Sequence, residues 1–443
     1  VVKLLTNIKV TAKSVIEGEK MLDIKRIIEN TAEVEKALKK RGEYSLTKIV
    51  ELDRARRNII AKVETKKAER NIVTQEIARL KREKADATSL ITDMGALGEE
   101  IKNLDSELSQ IEDELNISLA SLPNIPDDDL LAGGKENNEV LEYLGEKPSF
   151  DFDFQNHYDL CVKHGLIDYE RGVKLGGNGY WLYRGVGAEL EWALLNYFVS
   201  EHLKDGYEFI LPPHMLNYRC GYGAGQFPKF ADEVYWIKAD EGENTQFMLP
   251  TAETALVNIF SNEILTEKQL PMKLFAYTPC YRKEAGSYRS EERGMIRGHQ
   301  FNKVEMVQIA HPDQSAESFD ELLKKARSLV EGLGLHYRLS KLAAGDVSAS
   351  MARTYDIEVW LPSMGIYKEV SSVSNSNDYQ ARRNNTRFRD EETGKTRFVH
   401  TLNGSGLATS RIIPAIVEQY QNADGSITVP EVLQKYLGKT VIK

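Results

Sequence analysis

Arg282, Arg297, Phe301 and Glu305 fall within one charged stretch, RKEAGSYRSEERGMIRGHQFNKVE, residues 282–305. Little of it is apolar enough for an ordinary core segment. A guanidinium fork matches phosphate oxygens bidentately and does not lose its charge, so the two arginines suit a phosphate-bearing ligand. Phe301 offers a ring to a planar base, and Glu305 a carboxylate to an ammonium group. A third arginine, Arg411, follows the small-residue turn of TLNGSGLATSR and opens a helix-like run, RIIPAIVEQY. In YKEVSSVSN, Glu369 with the hydroxyls of Ser371 and Ser372 makes an oxygen set suited to Mg²⁺. FMLPTAETA adds a hydroxyl at Thr251 and a carboxylate at Glu253. Taken singly, each residue also reads as a surface charge, a core aromatic or a helix-end charge. No glycine-rich P-loop or dinucleotide fingerprint competes for the phosphate.

These residues need elements to hold them. Phe301, Val304, Met306 and Ile309 predict a strand, and the glycine-dotted charged run before it predicts a loop. Strand, basic loop and returning strand would form a hairpin that presents charge. Beyond about residue 140, runs such as YEFILPP, YDIEVWLP and KEVSSVS alternate with helical stretches such as GAELEWALLNYFVSEHLK. That texture predicts an α+β domain on a largely antiparallel sheet.

Upstream the texture differs. Leu52, Ile59, Val63, Val73, Ile77 and Leu80 recur at mostly three- and four-residue steps. After a break at KADATS the pattern resumes with Met94, Leu97, Ile101, Leu104, Leu108, Ile111 and Leu115. Two such runs predict an antiparallel coiled-coil hairpin over about 47–115. Its first helix, of ~38 residues, would reach ~57 Å. The first helix is rich in Lys and Arg and the second in Asp and Glu, which supports two readings. Opposite charges can flank the seam and fix the pairing, or the first helix can offer phosphates a basic rail. Charge pattern alone favours the first reading. SLPNIPDDD closes the helical region, so the expected organisation is an extension over 1–20, a helical domain over 21–120, a linker over 121–140 and an α+β domain over 141–443.

Bulk properties narrow the class. A chain of 443 residues exceeds one small core. No apolar run is long enough to span a membrane. Cys161, Cys220 and Cys280 are odd in number and far apart, against a disulfide framework or a cysteine zinc site and in keeping with a reducing cytosol. The net charge of −9 means that any nucleic-acid contact must come from a local patch. Residues 1–20 lack the uninterrupted apolar core of a secretory signal.

From Met21 onward the chain resembles the seryl-tRNA synthetases, class II aminoacyl-tRNA synthetases. The likeness rests on MLDIKRIIEN, LPNIPDDD, GQFPKF, LPTAET, TPCYRKEAGS, RGMIRGHQFNKVEM, TYDIEVWLP, EVSSVSN, QARR, TLNGSGLATSR and PEVLQKYLG, in family order. It implies a class II antiparallel-sheet catalytic domain behind the hairpin arm, and ATP with Mg²⁺ activating L-serine for transfer to tRNA(Ser). Selenocysteine tRNA as a second acceptor is left open. The resemblance also implies a homodimer, through the helix before LPP and Pro212 or Pro213. By the same resemblance Arg282 would hold the α-phosphate, Glu284 the adenine amino group, Phe301 the adenine ring, and Arg297 the outer phosphates. Arg411 would hold the terminal phosphate, with Glu369, Ser371 and Ser372 at the phosphates and Glu369 and Ser372 on Mg²⁺. Thr251, Glu253, Arg282 and Glu305 would contact serine, its hydroxyl read by Asn403 and Ser405. The arm would meet RNA by shape and backbone, with Lys66, Lys67 and Arg70 as candidate contacts. Three segments depart from the family pattern: AAGDVSASMARTYD, Val373 in SSVSNSND, and SYRSEERG.

Overall fold

Between Thr47 and Ala120 the chain has no proline, and in the computed structural model its apolar periodicity becomes two long helices, α1 (Thr47–Arg82) and α2 (Thr88–Ala120). Residues 22–237, 245–284 and 295–443 are described; the expected extension over 1–20 and the variant SYRSEERG loop lie outside them. Helix α1 has 36 residues, hence about 54 Å. Lys48–Glu114, Arg56–Glu112, Lys67–Asp105 and Lys66–Glu100 pair at 3.1–4.0 Å, so the helices run antiparallel. The seam buries Ile49, Ile59, Val63 and Ile77 against Leu97, Ile101, Leu115 and Leu119. Where the pattern pointed to Leu52, Asp53 is the residue at 1% exposure, held by Arg56 at 3.0 Å and Arg57 at 2.7 Å. Paired charge makes that burial tolerable.

The chain divides into two compact units: residues 22–36 with 43–122, which contains the hairpin, and residues 37–42 with 123–443. The second unit is built on an eight-stranded sheet. Its strands are β1 (Glu139–Leu144), β2 (Glu208–Phe209), β3 (Met272–Tyr281), β4 (Gln300–Ala310), β5 (Tyr337–Lys341), β6 (Arg353–Leu361), β7 (Ile366–Asn375) and β8 (His400–Ala408). The spatial order is β1–β5–β6–β7–β8–β4–β3–β2, antiparallel except for the β2–β3 pair at one edge. Helices α3 (Val186–Lys204), α4 (Ser315–Gly332) and α5 (Thr409–Gln419) bury Leu190, Leu322 and Ile412 in one core with Val304 and Met306 of β4. Val307 and Ile309 belong to a second core with Leu256 and Phe388. The expected hairpin is β3–β4, with Phe301 opposite Cys280.

Residues 121–140 are not a loose connection. The Asn124 amide is buried and donates to the carbonyls of Ser350 at 3.0 Å and Ser376 at 2.7 Å, and Asp127 accepts from Arg353 at 2.8 Å. Strand β1 already starts at Glu139. Asn124→Ala strands two buried acceptors and should lower stability by about 2 kcal/mol, read as a fall in the thermal melting midpoint. An unchanged midpoint would mean that water replaces the amide.

Candidate active site

Twelve of the thirteen cavity residues singled out in the sequence line one space of about 260 Å³: Thr251, Glu253, Arg282, Glu284, Arg297, Phe301, Glu305, Glu369, Ser372, Asn403, Ser405 and Arg411. The sheet explains how. Phe301, Lys303 and Glu305 alternate along β4, so their side chains share a face. Asn403 and Ser405 do the same on the neighbouring strand β8. Glu369 and Ser372 are three apart, which in a regular strand would set them on opposite faces. The β6–β7 register shifts there: Ile357 pairs with Ser371 and Glu358 with Glu369, leaving Val370 as the extra residue of a bulge. The bulge turns Glu369 back to the face of Ser372.

Ser371 is the exception. Next to Ser372 on the strand, it points the other way, is fully buried, and donates its hydroxyl to the Ser405 carbonyl at 2.7 Å. Its side chain is spent on holding β7 to β8 and does not reach the cavity.

Charges in the cavity are largely matched. Arg411 lies 3.2 Å from the Glu369 carboxylate and donates to the Glu369 carbonyl at 2.8 Å. Arg297 meets Glu284 at 2.7 Å, and Lys303 meets Glu305. Two lining charges, Arg282 and Glu253, have no opposite partner among the described residues. Arg282 donates from Nε to the Pro250 carbonyl at 3.2 Å and stands 5.2 Å from the centre of the Phe301 ring. Glu253 accepts from Gln380 at 2.8 Å and from the Asn403 amide at 3.4 Å. Burial, and then the Glu305 charge, push the Glu253 carboxyl up to about 7. Burial also acts to raise Glu369, but Arg411 and Arg282 outweigh it and hold that carboxyl below its ordinary value.

Glu369 and Ser372 fit a hard divalent cation. Ser372 donates its proton to Asp356 at 2.7 Å, which leaves the lone pairs of Oγ for a metal. Asn403 donates to Glu305 at 3.1 Å, while its Oδ1 is buried without a partner. A buried acceptor in that state is poised for a donor on a ligand.

Lys303, Gln380 and Asp356 were missed in the sequence. Lys303 was legible, since it lies between Phe301 and Glu305 at the strand period. Gln380 and Asp356 come from distant segments and carried no local signal. In the hairpin unit, Lys66 pairs with Glu100 at 3.1 Å and Glu69 at 3.3 Å, Lys67 pairs with Asp105 at 3.2 Å, and Arg70 is exposed. Cross-hairpin pairing is thus what Lys66 and Lys67 do here.

The serine–tRNA ligase 2 of Clostridium acetobutylicum is 58% identical to this chain over 423 residues, 95% of this chain and 99% of that protein. The chain belongs to the seryl-tRNA synthetases. It matches the seryl-tRNA synthetase N-terminal domain over residues 21–126 and the class II tRNA synthetase core domain (G, H, P, S and T) over 235–420. The crystal structure of the Pyrococcus horikoshii seryl-tRNA synthetase complexed with ATP is 32% identical, with a TM-score of 0.89 over 95% of this chain and 99% of that one. The cytoplasmic serine–tRNA ligase of Naegleria fowleri in complex with AMP is 26% identical, with a TM-score of 0.85 over 96% and 99%. This seryl-tRNA synthetase therefore has the class II α+β architecture with a helical N-terminal hairpin.

Proposed function

We propose that the cavity activates L-serine with ATP to seryl-adenylate and passes the seryl group to tRNA(Ser), each residue acting as follows. The observation that carries this reading is the charge left over in the cavity, a guanidinium at Arg282 and a carboxylate at Glu253. A zwitterionic amino acid beside a nucleotide α-phosphate brings the complementary charges. Phe301 stacks on adenine and Glu284 takes its amino group; Arg297 and Arg411 turn from their glutamates to the outer and terminal phosphates. Glu253 and Glu305 surround the serine ammonium, Thr251 lies beside them, and the orphaned Asn403 oxygen with Ser405 reads the hydroxyl.

The serine carboxylate then attacks the α-phosphorus and pyrophosphate leaves. No general base is needed, because the attacking group is already ionised. Arg282 binds the oxygens on which charge accumulates, and positioning of both reactants lowers the entropic cost. Mg²⁺, held by Glu369 and Ser372, would supply further neutralisation of the phosphates. An alanine in the pocket leaves polar groups unpaired, which supports rejection by ~10⁴ or more.

The test is serine-dependent ATP–pyrophosphate exchange and tRNA charging, with threonine and alanine as controls. Inactivity in both ends this reading. Glu253 adds a pH signature: an ammonium favours its ionised form, so the serine KM should fall about tenfold per pH unit up to about 7 and level off above. Glu253→Gln should remove the inflection, and a flat wild-type profile would move the ammonium elsewhere. For folding the sign is opposite. The unfolded carboxyl releases its proton near 4.5, so this group's contribution to stability falls as pH rises from there to about 7.

Trp192 on α3, and Leu211 and Met215 beyond the edge strand β2, are large apolar residues left exposed, which supports a homodimer. Among the described residues no helix is long and apolar enough to cross a membrane. The three cysteines are unpaired, and we place the enzyme in the cytosol.

A further inference from the structure

Lys303 lines the cavity at 7% exposure, and a lysine is seldom buried unless paired. Its ammonium contacts Oε2 of Glu305 and donates to the Thr251 hydroxyl oxygen at 2.8 Å. That oxygen also accepts from the Glu253 backbone N–H at 3.3 Å. With both lone pairs engaged, Thr251 keeps only its own proton to offer, so it faces a ligand as a donor. The other Glu305 contacts are the Asn403 amide at 3.1 Å and the Ser405 hydroxyl at 3.3 Å, both neutral. The same Asn403 amide reaches Glu253. Two buried carboxylates thus share one amide, and Lys303 is in direct contact with one of them, Glu305.

We propose that Lys303 sets the charge of the amino-acid pocket: it cancels Glu305, so that one ligand ammonium, matched to Glu253, completes the balance, and it fixes Thr251 as a donor. The inference rests on reading this cavity as the serine pocket. Without the lysine, two carboxylates face a single ammonium, and one buried charge stays uncompensated. The pocket then favours a ligand with a second amine. L-2,3-Diaminopropionate is such a ligand, being serine with its hydroxyl replaced by an amine. Lys303 is in this view what makes the pocket select a hydroxyl over an amine of equal size.

The experiment is ATP–pyrophosphate exchange with serine and with diaminopropionate at a neutral pH, where Glu253 is ionised in an appreciable fraction and the second amine of diaminopropionate carries a proton. Wild type, K303M, K303R and K303M/E305Q are compared, with thermal melts to establish folding. K303M should raise the serine KM by ~10²-fold, as expected when one partner of a buried pair is removed, while the ATP KM moves less than about twofold. Its preference for diaminopropionate over serine should rise by at least about tenfold, and K303M/E305Q should recover part of the serine loss, since no carboxylate then lacks its partner while an amide oxygen can still accept from the ammonium. K303R keeps the charge and should keep the wild-type preference; it serves as the decisive variant if K303M does not fold. An unchanged serine KM in K303M, a parallel rise in both KM values, no recovery in the double variant, or a K303R preference shifted to diaminopropionate would overturn the proposal. A wild type without serine-dependent exchange would instead overturn the pocket assignment itself.

Discussion

Arg282→Ala should lower kcat/KM for serine-dependent ATP–pyrophosphate exchange by ~10²–10³, the usual loss when one preorganised charge donor is removed from a developing anion. The size follows from what Arg282 is not doing. Arg297 and Arg411 each have a glutamate partner and must give it up to meet a phosphate. Among the described residues the Arg282 side chain donates only to the Pro250 carbonyl, through Nε, and has no ion pair to break before binding. Its Phe301 neighbour keeps the guanidinium close to the ring proposed to hold adenine. Arg282→Lys should recover little, because a point charge cannot make the two parallel bonds of a fork. The melting midpoint should stay close to wild type, since one hydrogen bond is lost. A loss of only a few-fold in exchange would mean that the α-phosphate lies elsewhere.

Excision of residues 47–115, with a short turn joining Leu46 to Asn116, should leave serine-dependent exchange within a few-fold of wild type and reduce tRNA charging below detection. Rejoining is feasible because the Lys48 ammonium and the Glu114 carboxylate meet at 3.8 Å, which sets the two helix ends side by side at the base of the hairpin. Exchange needs only the cavity, whose lining comes wholly from residues beyond 220. Charging needs the tRNA held in place, and an arm of about 54 Å has no use in making an adenylate. The ion pairs of Lys66 and Lys67 do not argue against RNA contact. Exposed pairs are weak, and a phosphate can replace a carboxylate at small cost. Full charging without the arm would favour a different docking mode, and loss of exchange would mean that the arm supports the cavity's fold. An enzyme that seryl-loaded some other acceptor would keep charging that acceptor after excision.

The two textures of the chain were legible because hydrophobic period is a local property. A sustained three–four repeat does not suit a strand, and apolar residues two apart at Val304 and Met306, between Phe301 and Ile309, suit a strand better than a helix. The hairpin, the β3–β4 pair and the α+β class follow from that. Asp53 in the seam was not legible, because its burial depends on arginines one turn away folding over it. Nor was the docking of 121–140, since prolines and aspartates read as a linker until Ser350 and Ser376 bring their carbonyls to Asn124.

The sequence by itself determined which side chains could be proposed for a phosphate, a base and an ammonium, and that Phe301 and Glu305 lie at the strand period. Only the tertiary structure decided which of them meet. A bulge at Val370, a register relation between two strands, puts Glu369 beside Ser372 and turns Ser371 away. The pairing of Arg411 with Glu369 and of Arg297 with Glu284 leaves Arg282 and Glu253 as the lining charges without an opposite partner among the described residues, the two proposed to meet the substrates. The reason is physical: period and charge are read along a chain, whereas the electrostatic balance of a cavity is a sum over residues far apart in it.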